Sequence, residues 1–214
     1  VGVGMAGDDG VRRGITVGVS AFTNTAVHNV LLSVVKLMKK FENFADKVNK
    51  PTPFSEALTT FLTRSSPSLT LGPTIPLSDD IHYFPQDKKF KMEKCGINIV
   101  GGTVWQLNRA FSGGELDFLV VDEASQLPLP DSAMLFHLLS PHSYKILIAG
   151  DPLQLPPIIQ GSYPPPTPPN PFHPPLHKSL LHALLREKNG ETILDVKSGA
   201  DVKRCPLLVF LSQN

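Results

Sequence analysis

The sequence predicts an α/β fold built on a mainly parallel sheet. Three observations carry this. Phe118–Val121 (FLVV) and Lys145–Ala149 (KILIA) are apolar without alternation, the pattern of parallel strands covered on both faces. Ile15–Ala21 (ITVGVSA) is a β-branched run followed at once by a long helical period. Strand and helix signals then alternate along the chain, which is how layered α/β domains are written.

The elements follow in order. Ile15–Ala21 reads as a buried strand, and Thr23 and Asn24 supply helix N-cap chemistry. Ala26, Val27, Val30, Leu31, Val34 and Val35 recur at helical spacing as far as Phe41 and Phe44. Lys36, Lys39 and Lys40 lie on the other face. Phe54–Leu62 is expected as a short helix, and 65–94, with four prolines and no clear period, as an irregular insertion. Ile97–Val100 reads as a strand, Gly101–Thr103 as a turn and Val104–Phe111 as a short helix. The strand at 118–121, a helix over Ser132–Leu139 and the strand at 145–149 come next. Leu176–Glu187 has a helical pattern, and Leu207–Leu211 (LLVFL) is a last strand candidate.

Composition narrows the function classes. The 214 residues suit one domain or slightly more, and 41% hydrophobic with 18% charged residues is ordinary globular composition. The net charge of +1 means that any nucleic-acid site must be a local groove. Cys95 and Cys205 form neither a disulfide framework nor a C-x-x-C metal site. No apolar run is long enough to span a membrane, and the N-terminus lacks a signal-peptide core. An intracellular protein, nuclear or cytoplasmic, is expected. Eleven of the 21 prolines fall between Pro152 and Pro175, so the proline excess is one local block. It reads as a polyproline or loop segment, with 164–175 a candidate ligand for an SH3- or WW-type partner.

Ligands of parallel sheets bind at the carboxyl ends of the strands. Three such ends carry polar clusters: Ser20–Thr25, Asp122–Gln126 and Gly150–Gln154. Adjacent carboxylates at the end of an apolar strand are costly to bury unless a cation offsets them. Asp122 suits Mg²⁺, which takes one or two carboxylates plus phosphate oxygens, and Glu123 can then orient or deprotonate a water. Capping of the next helix is the structural alternative. Gln154, beside Asp151, can donate to or accept from a phosphate or water; a plain β-turn is the alternative there. Hydroxyl and amide groups at a helix start suit a phosphate, and they equally suit simple capping. Trp105 and Tyr83 can stack on bases, although a lone Trp beside a short helix is expected in a core. The seven histidines, His28, His82, His137 and His142 among them, show no metal spacing.

In order, TNTAVHN, GGTVWQL, VVDEASQ and GDPLQLPP resemble the first RecA-like domain of superfamily 1 helicases, in particular the Upf1/DNA2/NAM7-like (SF1B) group. The likeness covers 15–37 and 97–161, and more weakly Leu176–Leu185. The resemblance implies an ATP-driven translocase on single-stranded DNA or RNA, with ATP and Mg²⁺ as cofactors. It implies that Asp122 holds Mg²⁺, Glu123 activates water and Gln154 senses the γ-phosphate. It places Gly150, Asp151 and Gln126 around the nucleotide, and Asn24, Thr25 and Thr103 on the nucleic-acid backbone.

The departures are specific. No G-x-x-x-x-G-K-[ST] loop is present, and residues 1–14 contain glycines but no Lys. A second RecA domain is absent from the sequence, and His28 stands where many relatives have Asp. The expected fold is therefore an incomplete RecA-like P-loop NTPase domain. Its expected parts are an irregular remnant at 1–14, a partial helicase domain at 15–161 with its insertion at 50–93, a Pro-rich loop at 162–175 and a C-terminal end at 176–214. Val1 and the lead-in FLSQN are expected of a piece of a longer protein. In the RecA-like arrangement the phosphate-loop strand lies inside the sheet, so unpaired apolar edges and association are expected. A non-catalytic nucleic-acid- or partner-binding module is the alternative to a helicase part. A different hydrolase is disfavoured, because no G-x-S-x-G elbow is present.

Overall fold

A computed structural model describes residues 14–47, 57–63, 79–85, 96–142, 144–159, 161–162 and 177–185. In these lie β1 (Ile15–Ser20), α1 (Asn24–Lys47), β2 (Ala57–Thr63), β3 (His82–Pro85) and β4 (Ile97–Gly101). They are followed by α2 (Val104–Ala110), β5 (Phe118–Val121), α3 (Leu129–Phe136), β6 (Lys145–Ile148) and α4 (Leu180–Leu184). The strands form one six-stranded sheet in the order β3-β2-β4-β1-β5-β6, and every pairing is parallel. The fold is thus α/β with an all-parallel sheet.

Alternation along the strands separates two apolar layers. Ile97 and Ile99 of β4, Val17 and Val19 of β1 and Val120 of β5 pack with Val27, Leu31 and Val35 of α1. Val100, Leu119 and Val121 pack on the opposite face with Leu107 of α2, Leu135 of α3 and Leu180 of α4. Leu31, Leu107, Leu119 and Leu135 are fully buried, each stabilising the fold by about 1.5–3 kcal/mol. Gly101 lets α1 lie close on β4: a Cβ there would sit 2.6 Å from Leu31 Cδ1 and 2.9 Å from Val27 Cγ1.

Thr23 caps α1, its Oγ1 accepting the Ala26 N–H at 3.1 Å. Inside the first layer, His28 Nε2 lies 3.0 Å from Tyr83 Oη, and the two rings stack. This pair ties α1 to the outermost strand, and Lys39 and Asp80 add a surface ion pair between α1 and the approach to β3.

The structure corrects four expectations. The helix expected over Phe54–Leu62 is replaced by strand β2, because Ala57–Phe61 finds a full ladder on Ile97–Gly101. The stretch expected to be irregular also contains β3, which pairs with β2 and ends at Pro85, a residue suited to an edge strand. The third helix starts at Leu129, three residues early, since Pro130 fits its first turn. The run at 145–149 is not covered on both faces: Ile146 and Leu147 are exposed because β6 is an outer strand. The segments 1–13, 163–176 and 186–214, with the Pro-rich run and Leu207–Leu211, lie outside the described residues.

Candidate functional site

Register brings four strand ends to one edge. Val19 pairs with Gly101, Ser20 with Val121, and Val121 with Ile148. The polar clusters after β1, β4, β5 and β6 therefore leave the sheet at the same level.

The turn after β5 is the centre of this edge. The Asp122 N–H extends the ladder by donating to Ser20 O at 2.8 Å. Asp122 Oδ1 accepts the Glu123 N–H at 2.9 Å, and Glu123 O accepts the Gln126 N–H at 2.8 Å. To close this turn Glu123 takes φ +52°, the left-handed region that costs a non-glycine residue about 1–2 kcal/mol. The Ala124 N–H donates to Ala149 O at 3.0 Å and Ala124 O accepts the Leu181 N–H at 3.3 Å, so β6 and α4 both clamp the turn.

Gly150 makes the clamp possible. A Cβ at this position would lie 3.1 Å from the amide nitrogens of both Ala124 and Ser125, and 3.2 Å from Leu181 Cδ2. The loop after β6 thus rests directly on the backbone of the loop after β5.

The electrostatics of this edge centre on Glu123 and the two serines beside it. Glu123 Oε2 is buried without a hydrogen bond among the described residues, as are the hydroxyls of Ser20 and Ser125. Burial, and second the neighbouring Asp122 carboxylate, push the Glu123 pKa above the usual carboxylate range. A buried acceptor with no donor costs about 1–3 kcal/mol, and here it sits on a strained residue.

No protein-family model, curated protein or solved structure matches the chain.

Among the described residues no three His, Cys, Asp or Glu side chains come together as a metal cage. Mg²⁺ does not need one, since it takes one or two carboxylates and fills its shell with waters and phosphate oxygens. Asp122, half-buried with Oδ1 held by one N–H, and the orphaned Glu123 Oε2 fit that donor set. A tight all-protein site does not fit.

The remaining expected residues divide. Gly150 packs on the central turn, and Gln126 is half-buried one turn beyond Glu123. Asp151 and Gln154 form a β-turn: Asp151 Oδ1 accepts the Leu153 N–H at 2.9 Å and Asp151 O accepts the Gln154 N–H at 3.1 Å. Both side chains are exposed. Asn24 and Thr25 are exposed at the start of α1. Thr103 precedes α2 on the opposite face of the sheet, and its N–H is taken by Gln106 Oε1 at 2.6 Å. These three share the edge without forming one hydrogen-bonded cluster.

Two aromatics reverse expectation. Trp105 is 57% exposed at the start of α2, not in the core, while Tyr83 is engaged by His28. Ser20 and Ser125 escaped selection as site residues because serine at a strand end or turn reads as capping. Their signal is burial without a partner, which only the folded chain displays.

Proposed function

We propose that this chain is the nucleotide-handling part of a superfamily 1 helicase of the SF1B type, an incomplete RecA-like domain that binds Mg²⁺–ATP at the carboxyl edge. The observation that carries this reading is Glu123. A carboxylate with a raised pKa and an unpartnered buried oxygen, held in a strained turn beside Asp122, is what a water-activating group requires.

Asp122 would hold Mg²⁺, which supplies charge neutralisation of phosphate oxygens when bound. Glu123 accepts a proton from the attacking water at its carboxylate. Gly150 keeps the loop bearing Asp151 and Gln154 against the Asp122–Gln126 turn, so movement at one loop reaches the other. Asn24 and Thr25 face solvent, where a single strand of DNA or RNA can run, and exposed Phe22 and Trp105 offer rings for base stacking.

The phosphate-loop lysine is missing from the sequence, so this chain alone is expected to show no measurable ATPase. Hydrolysis that Glu123→Gln abolishes would overturn that expectation. Binding is the direct test. A fluorescent ATP analogue should bind in a Mg²⁺-dependent way, with Asp122→Asn weakening it about tenfold. A second reading, a nucleic-acid-binding module without nucleotide, is favoured by the exposed aromatics. Oligonucleotide binding with no Mg²⁺-dependent nucleotide binding would select it. Binding of neither would refute both.

A further inference from the structure

The helix α1 carries two apolar faces, and the sheet uses one of them. Val27, Leu31 and Val35 are buried on the strands. Val30, Val34, Leu37, Phe41 and Phe44 form a second row, spaced by four, three, four and three residues. That is the repeat of a helix-packing seam. At about 100° per residue the row falls in one sector about 80° wide. Val30 and Val34 are half-buried where the row meets the core, but Leu37 is 54% and Phe44 64% exposed, with Phe41 between them also exposed. A contiguous apolar row at a surface marks a place of contact with something else.

The neighbouring elements say which way the row faces. His28 and Lys39 lie on the flank of α1 beyond its buried sector, and they meet Tyr83 and Asp80 on the β3 side. The row occupies the opposite flank, so it looks over β5 and β6. Register puts Phe118 and Val120 of β5 and Lys145 and Leu147 of β6 on that same face of the sheet. Phe118 and Val120 are half-buried, and Leu147 is 52% exposed. Among the described residues α1 is the only helix on this face. Packed helices lie about 8–10 Å apart and neighbouring strands about 4.8 Å apart, so one helix covers about two strands. α1 covers β4 and β1. The row on α1 and the strands β5 and β6 are therefore the wall and the floor of a slot one helix wide and about 20 Å long.

We infer that this slot is the docking site for a helix of a partner protein, apolar along the face it inserts and acidic along its margins. The charges around the slot select that partner. Lys36, Lys40 and Lys47 line the solvent side of the row, and the exposed Lys145 stands at the β6 rim. The acidic residues of this half of α1, Glu42 and Asp46, turn toward the β3 flank. The Asp117 carboxylate before β5 accepts the Thr16 N–H at 2.9 Å. A second copy of the chain would bring the same lysines against one another, and like charges at a helix contact are destabilising. Acidic residues on a partner meet them favourably, which sets register and partner choice. The row runs from the middle of α1 away from the carboxyl edge, so the inference goes beyond the nucleotide reading and stands without it.

Titration of the whole chain with two labelled helical peptides tests this. Both carry leucine at the two apolar positions of each heptad; one has glutamate at the flanking positions and the other lysine. The acidic peptide should bind at micromolar concentration, at least about tenfold tighter than the basic one. Leu37→Ser on the wall and Leu147→Ser on the floor should each weaken it about tenfold or more. Both should leave Tm unchanged, since the side chains are exposed. Lys40→Glu combined with Lys47→Glu should transfer the preference to the basic peptide. No binding of either peptide, or equal binding of both, would overturn the inference. A lower Tm for the two serine variants without peptide binding would overturn it in favour of cover from within the chain. Self-association at micromolar concentration that Leu37→Ser abolishes would overturn it in favour of a second copy. Adsorption to phosphatidylserine vesicles that the same change abolishes, without peptide binding, would overturn it in favour of a lipid surface.

Discussion

Substituting Glu123 by Gly should stabilise the fold while removing its carboxylate. At φ +52° a residue with a Cβ is strained by about 1–2 kcal/mol, and glycine is not. The change also deletes a buried oxygen without a hydrogen bond, at about 1–3 kcal/mol of desolvation, while glycine's extra freedom in the unfolded chain takes back about 0.4–1 kcal/mol. The net gain is about 1–4.5 kcal/mol, or roughly 2–18 °C in Tm for a chain of this size. Glu123→Ala separates the two terms, because alanine keeps the left-handed strain and loses the carboxylate. The expected order of thermal midpoints is Gly above Ala above wild type. Glu123→Gln adds a pH test. The folded-state pKa of Glu123 is raised, so its stabilising contribution is full below the ordinary Glu value and is lost as pH rises through the raised one. The wild type should therefore lose stability relative to Glu123→Gln across that window. Equal midpoints for Ala and Gly would refute the strained turn. A wild type more stable than all three, with no pH-dependent difference from Gln, would refute the orphaned carboxylate.

Three other changes probe the surroundings. Gly150→Ala places a methyl 3.1 Å from two backbone nitrogens that cannot rotate away, and should cost about 1–3 kcal/mol in chemical denaturation; an unchanged midpoint would refute the close packing of the two loops. His28 is buried, and burial lowers its pKa. Unfolded chains take up a proton near the ordinary His value before the folded chain does, so stability should fall as pH drops below about 6.5 and level off below the folded value. The difference in Tm between wild type and His28→Gln, followed from pH 7.5 down to 5, should shrink accordingly; a constant difference would refute this. Trp105→Ala removes an exposed ring and should leave Tm unchanged while weakening binding to a labelled single-stranded oligonucleotide by about 1–3 kcal/mol, with undiminished binding the refuting result.

What was legible in the sequence was set by burial pattern and local chemistry. Phe118–Val121 reads as a strand because both its faces are covered, and α1 reads as a helix because one face is apolar at its own period. Asp122-Glu123 reads as a site because carboxylates stand where an apolar strand stops. What was not legible depends on partners distant in the chain. Thr59 and Thr60 become strand residues only because Ile99 and Val100 lie beside them, 40 residues on. The hydroxyls of Ser20 and Ser125 are orphaned because of packing at the edge, which no local pattern encodes. Trp105 is exposed because the buried face of α2 belongs to Val104 and Leu107, a choice of face that a seven-residue helix leaves ambiguous in sequence. β6 is the instructive case, since its local pattern and its surroundings disagree. Lys145–Ile148 carries the signature of a strand in the middle of a sheet, and it stands at the edge of six. An apolar strand with one hydrogen-bonded neighbour among the described residues shows that local pattern reports composition and not position in the sheet.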